Sequence, residues 1–177
     1  MGRRVAAVVG LALVVGALGA CGPRGSVPTL AKVEGWAAST EDGVFGVLEI
    51  AYDRATAERL WAETVPEDLP ERSGLPVAAG VYGDLADVDL DRSVVAVWSS
   101  GESGSCPGWI ADVTLRDGTV VVRRAQQGDE CTADFNPYRL VLVLPRSDVP
   151  READLPAPVD VGGHVAIPSR ARAYGAA

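Results

Sequence analysis

The sequence predicts an α+β domain: a mostly antiparallel β-sheet, sandwich-like in its layering, with one amphipathic helix laid on it and one disulfide. Three observations carry this expectation. An Asp117-Gly118 step separates two runs of strand-forming residues, which is a hairpin signal because a type I′ turn needs positive φ at both central residues. Two continuous apolar runs, Val94–Trp98 and Leu140–Leu144, have the length and composition of strands buried on both faces. A single stretch, about residues 54–64, carries the helical period.

Taken in order, Val44–Tyr52 is rich in strand formers and reads as the first strand. Asp53 then offers a helix N-cap, and Ala57, Leu60, Trp61 and Val65 recur at helical spacing until Pro66 stops the pattern. Residues 66–84 are broken by Pro and Gly and form a connection with little regular structure. In Asp87-Val88-Asp89-Leu90-Asp91 the apolar residues alternate with acids, as on a half-buried edge whose carboxylates face water. After the Val94–Trp98 strand, Ser99–Gly108 turns to Ser, Gly and Pro and reads as a loop.

Trp109, Ala111, Val113 and Leu115 then alternate with polar residues, placing those four on one strand face, and Thr119–Ala125 returns across the turn. Cys106 lies eleven residues before Asp117 and Cys131 thirteen after Gly118, so the hairpin brings both to its open end. A bridge there closes a loop of about 26 residues and stabilises by about 3 kcal/mol. A redox-active pair would sit closer in sequence. Leu140–Leu144 ends at Pro145, and the proline-broken remainder holds one further candidate strand around His164–Ile167 before a loose tail from Ser169.

The expected organisation is a signal segment over 1–20, an anchor and tether over 21–29, one domain over 30–168 and a tail over 169–177. The chain opens Met1-Gly2-Arg3-Arg4 and then runs uncharged from Val5 to Ala20, a basic start and an apolar core too short and Gly/Ala-rich for a stable spanning helix. The Arg3-Arg4 pair hints at twin-arginine export, although Val5-Ala6-Ala7 lacks the rest of that pattern and leaves the general secretory route open.

Cleavage would leave 157 residues, one domain's worth, and would shift the formal charge from −8 to −10 by removing Arg3 and Arg4. Such an acidic surface repels phosphate backbones, so nucleic acid is not an expected partner. Lys32 is the only lysine among the sixteen basic residues.

Few residue patterns point to chemistry. Gly101-Glu102-Ser103-Gly104-Ser105 has part of a nucleophile elbow, but Ser105 stands where the second glycine belongs and no helix is expected to follow. Ser103 with His164, the chain's single histidine, is nevertheless the alternative reading, that of a small hydrolase. Asp87, Asp89 and Asp91 space like the start of a calcium loop, yet Arg92 takes the glycine position and Trp98 the twelfth, where a bidentate Glu is needed. A looser cation site there stays open. No phosphate loop or zinc ligand set is present, and no cofactor is expected.

The loops beside the bridge bring Ser103, Trp109, Phe135 and Tyr138 into one neighbourhood, with Trp98 close by. They are either a partner surface held rigid by the disulfide or aromatic plugs for the end of the core.

Leu18-Gly19-Ala20-Cys21, placed where the apolar run ends, resembles the lipobox of bacterial lipoproteins. The resemblance implies that the Cys21 thiol receives a diacylglyceryl group and that fatty acyl chains such as palmitate hold the domain on the outer face of the cell membrane. Two or more chains make a durable anchor where one is marginal.

Further along, Gly104-Ser105-Cys106-Pro107 and Cys131-Thr132-Ala133-Asp134 are similar to motifs of a class of actinobacterial lipoproteins. The order of elements over about 85–146 also resembles the extracytoplasmic β-module of a bacterial protease-stability subunit. These likenesses imply binding of an envelope protein or another extracytoplasmic ligand rather than catalysis.

Overall fold

The computed structural model describes residues 25–35, 45–162 and 169–175. The expected signal segment, Cys21, the start of the first predicted strand at Val44 and the candidate strand around His164–Ile167 lie outside these residues. No helix among the described residues is long and apolar enough to cross a membrane.

The described strands are β1 (Thr29–Glu34), β2 (Val47–Ala51), β3 (Gly80–Val81), β4 (Ser93–Glu102), β5 (Gly108–Arg116), β6 (Thr119–Gln126), β7 (Asn136–Pro145), β8 (Ala157–Asp160) and β9 (Ser169–Ala173), with the helix α1 (Arg54–Thr64) between β2 and β3. They form one sheet in the order β3-β1-β7-β4-β2-β9-β8-β6-β5. All pairings are antiparallel except β2–β9 and β6–β8. The sheet curls until the segment before β1 meets β5, where the Val27 amide donates to the Ile110 carbonyl at 2.9 Å.

Its spine is the β4–β7 ladder, which pairs Ser93 with Pro145 and continues in register to Glu102 with Asn136. Both faces of this ladder are buried, as its continuous apolar runs require. Val94, Ala96 and Trp98 of β4 and Tyr138, Leu140, Leu142 and Leu144 of β7 point into the curl, where they meet Leu48, Ile50, Val120, Val122 and Ala171. Val95, Val97 and Val141 face the other way and are covered by Ala57 and Leu60 of α1, with Leu85 and Val88.

The helix begins as its sequence dictates. The Asp53 carboxylate accepts from the Thr56 amide at 2.9 Å, while the Thr56 hydroxyl accepts from the Asp53 amide, a reciprocal cap. The helix ends at Thr64, ahead of Pro66. Arg54 fastens its first turn to the connection beyond it, donating to the carbonyls of Leu85 and Val88 at 2.8 and 2.9 Å.

The Asp117-Gly118 hairpin forms as predicted, with φ of 49° and 77° at the two turn residues and Arg116 paired to Thr119. Cys106 and Cys131 are joined, their Cα atoms 5.5 Å apart.

Five local expectations need correction. Residues 169–173, expected as a loose tail, form β9, paired to β2 on one side and β8 on the other. The fold also starts earlier than Leu30, because Val27 is buried and hydrogen-bonded and β1 is a full strand. Ser99–Glu102 is not loop: β4 runs through it, because Asn136–Arg139 supply a partner strand that polar side chains do not announce.

The even alternation of Trp109–Leu115 is broken by a bulge between Ile110 and Asp112. Ile110 and Val113 therefore both reach the core while Trp109 and Ala111 do not. Finally, Asp87–Asp91, expected as a half-buried edge, is no strand: the 3-10 turn Leu85–Asp87, capped by Asp84 whose carboxylate accepts from the Ala86 amide at 2.8 Å, runs on into coil and turn. Asp87, Asp89 and Asp91 are indeed exposed.

Leu60 is the helix residue most deeply set against the outer face of the ladder, 1% exposed. Leu60→Ala is expected to lower the unfolding free energy by about 2–5 kcal/mol, read as a fall in urea midpoint at unchanged slope.

Candidate binding site

On the strands that curl inward, the in-facing side chains change character toward one end. Along β4 the series Val94, Ala96, Trp98 continues as Ser100 and Glu102, and along β6 Val120 and Val122 are followed at the same two-residue spacing by Arg124 and Gln126. β1 adds Lys32, opposite Leu140. Polar groups thus gather at the end where β4 finishes and β5 begins, and the Cys106–Cys131 bridge ties the connections there. Beside them lies a cavity of about 280 Å³, lined by Ser100, Glu102, Arg124 and Gln126, with Lys32 behind Glu102.

Its floor is electrostatically ordered. Lys32 is fully buried, and its Nζ donates to Glu102 Oε1 at 2.6 Å, to the Gly108 carbonyl at 3.3 Å and to the Val77 carbonyl at 3.2 Å. Its ammonium also sits 5.1 Å from the centre of the Tyr138 ring. Glu102 Oε2 accepts from the Gly108 amide at 2.6 Å. A buried charge is tolerable only when paired and hydrogen-bonded in this way. Beside this pair, Arg124 Nη2 donates to the Gly101 carbonyl at 3.0 Å. Its Nε is buried without a hydrogen-bond partner, and the Trp98 indole and Ser100 hydroxyl lie against the Tyr138 hydroxyl, whose pKa burial pushes up.

The wall is aromatic. Phe135, 54% exposed, lies edge-on to Phe45 with ring centres 5.2 Å apart. Gly101 makes this possible, since a Cβ there would overlap the Phe135 ring.

The rim is a hydrogen-bonded knot around Asp134. Its carboxylate accepts from the hydroxyls of Thr132 and Ser103, the latter at 3.0 Å, from the Gly104 amide at 2.9 Å and from the Asn136 side chain at 3.0 Å. Those donors, with the Thr132 hydroxyl foremost, hold the Asp134 pKa down at about 2. Ser105 joins by accepting from the Thr132 amide at 2.8 Å. Ser103 is thus a structural donor here, facing a carboxylate that is a weak proton acceptor. His164 lies outside the described residues.

Of the four residues expected to form one surface, Ser103 and Phe135 line the cavity. Tyr138 is wholly buried behind it. Trp109, placed on the opposite strand face by the bulge, turns its indole toward the Gly25 carbonyl at 3.4 Å and lines no part of the cavity. Sequence reasoning missed Arg124, Glu102 and Lys32. Their signal was available in the two-residue period, which carries an apolar face into charged residues without a change of side. Among the described residues no group of three His, Cys, Asp or Glu side chains is placed to hold a metal ion, the Asp87, Asp89 and Asp91 trio included.

Two outcomes test this geometry. Lys32→Met or Glu102→Gln alone leaves a buried group unmatched and is expected to cost about 3–5 kcal/mol in urea unfolding, while the double replacement recovers part of it. Asp134, with its folded pKa depressed from 3.8 to about 2, contributes ordering that is complete above pH 3.8 and lost as pH falls through 2. A carboxyl-carbon NMR titration should place its midpoint near 2, with the Gly104 amide resonance moving in step. No family model, curated protein or solved structure matches this chain.

Proposed function

We propose that the chain is a lipid-anchored extracytoplasmic binding module, held to the cell membrane through acyl chains on Cys21 and presenting the cavity at the open end of its curled sheet to an envelope protein or another extracytoplasmic ligand. The observation that carries this reading is the cavity of about 280 Å³ at the end of the packed interior, lined by Trp98, Ser100, Glu102 and Arg124.

Two further features support it. The rim is fastened by a disulfide and by Asp134, so little conformational entropy remains to be lost on binding. The aromatic wall offers apolar contact at the water boundary, the usual makeup of a small-ligand site. The anchor follows from the likeness of Leu18–Cys21 to a lipobox, and the disulfide suits an oxidising compartment.

The mature N-terminal peptide is expected to begin at Cys21 and to carry the mass of its acyl groups, and Cys21→Ser should move the protein from the detergent to the aqueous phase on partitioning. An unacylated mature N-terminus would refute the anchor. Envelope components cross-linked to the intact chain in membranes should be lost with Phe135→Ala; retention of the same set would refute the cavity as the binding surface.

A further inference from the structure

The chain enters its fold against the β5–β6 hairpin. The Val27 amide donates to the Ile110 carbonyl at 2.9 Å, and two residues earlier the carbonyl of the exposed Gly25 accepts from the Trp109 indole at 3.4 Å. Cys21 stands four residues before Gly25, and four residues of chain span at most about 14 Å. Acyl chains on Cys21 therefore hold the bilayer surface beside Trp109.

The two faces of this hairpin differ. Ile110, Val113, Val120 and Val122 belong to the interior that it shares with the β4–β7 ladder. The outer face sets Trp109 beside Ala125, Asp112 beside Arg123 and Thr114 beside Val121, with the Arg123 guanidinium closed on Asp112 at 2.6 Å. Trp109 is half-buried and stands outside both apolar clusters. A tryptophan with an apolar ring and a polar N–H, placed at the foot of a lipid tether, suits the headgroup level of a membrane.

Charge favours the same face. Over Gly108–Gln126 the three arginines Arg116, Arg123 and Arg124 stand against Asp112 and Asp117, a net +1 in a chain of −8. From Asp53 through α1 to Arg72, behind the β4–β7 ladder, six acids stand against three arginines. An anionic bilayer surface attracts the first segment and repels the second.

We propose that the domain docks on the bilayer through the outer face of the β5–β6 hairpin, with Trp109 at the headgroup level and α1 turned away. The docking rests on the reading of Cys21 as an acylated anchor and adds to it the face that the domain turns to lipid. It also keeps the cavity at the membrane, because the lining residues Arg124 and Gln126 flank Ala125 on β6.

The test places the acylated chain in nanodiscs of phosphatidylethanolamine and phosphatidylglycerol, with a fraction of the lipid carrying a nitroxide on its headgroup, and reads amide relaxation by NMR. Since α1 lies two packed layers, about 20 Å, farther from the docked surface, the enhancement at Trp109, Asp112 and Arg123 should exceed that at Ala57 and Leu60 by at least about 5-fold. Trp109→Ala should lower the enhancement at Asp112 and Arg123 by about 2-fold or more while the acylated chain stays on the disc.

An acylated, disc-bound chain relaxed evenly over its surface, or most strongly at α1, would overturn the docking face and leave the anchor standing. An unacylated Cys21 would overturn both. Hairpin signals that move with protein concentration but escape the lipid label would give this face to a second copy of the chain, and an unchanged pattern in Trp109→Ala would remove Trp109 from the contact.

Discussion

The structure depends on one constraint, the burial of both faces of the β4–β7 ladder. A strand pair whose side chains are apolar in both directions cannot rest on a single layer, so it demands cover twice. One cover is α1, lying over Val95, Val97 and Val141. The other is the sheet itself, which curls so that β5, β6, β8 and β9 close over Trp98, Leu140 and Leu142. Everything that distinguishes the two ends of the molecule follows from how far that apolar interior extends. It stops at Trp98 on β4 and at Val122 on β6, and the cavity occupies the space beyond.

The charged groups at that end are of two kinds. Lys32 and Glu102 form a closed pair, with most of their hydrogen-bonding capacity used on each other and on neighbouring backbone. Such a pair adds little net stability over apolar residues of the same size, but each half strongly requires the other, which fixes β1 against the β4–β5 connection in one arrangement. Arg124 is the open kind, a cation anchored by one carbonyl and otherwise unspent. The rim carboxylate of Asp134 does not compensate it, because its oxygens are already engaged with the Ser103, Thr132, Gly104 and Asn136 donors.

How much of this was legible in the sequence depended on the range of the interaction. The helix, the hairpin turn and the cysteine pairing are set by residues a few positions apart or symmetric about one turn, and all three stand as expected. The bulge between Ile110 and Asp112 was invisible because the alternation on either side of it is regular and only the partner strand reveals the extra residue. Ser99–Glu102 looked like loop because its strand character comes from the pairing with Asn136–Arg139, nearly forty residues away. The site residues Lys32, Glu102 and Arg124 come from three separate strands, and only the curl of the sheet makes them neighbours.

The placement of β9 has a consequence for the order in which the molecule can be completed. The sheet consists of two blocks, β3-β1-β7-β4-β2 and the β5–β6 hairpin, and β8 and β9 are the seam between them. In chain order the described strands of both blocks precede Ser169–Ala173, which links them through β2 and β8, while the Val27 amide on the Ile110 carbonyl closes the curl on the other side. Ser169 also lines the cavity, so a chain still being synthesised acquires that part of the cavity wall only when this late strand slots in beside β2.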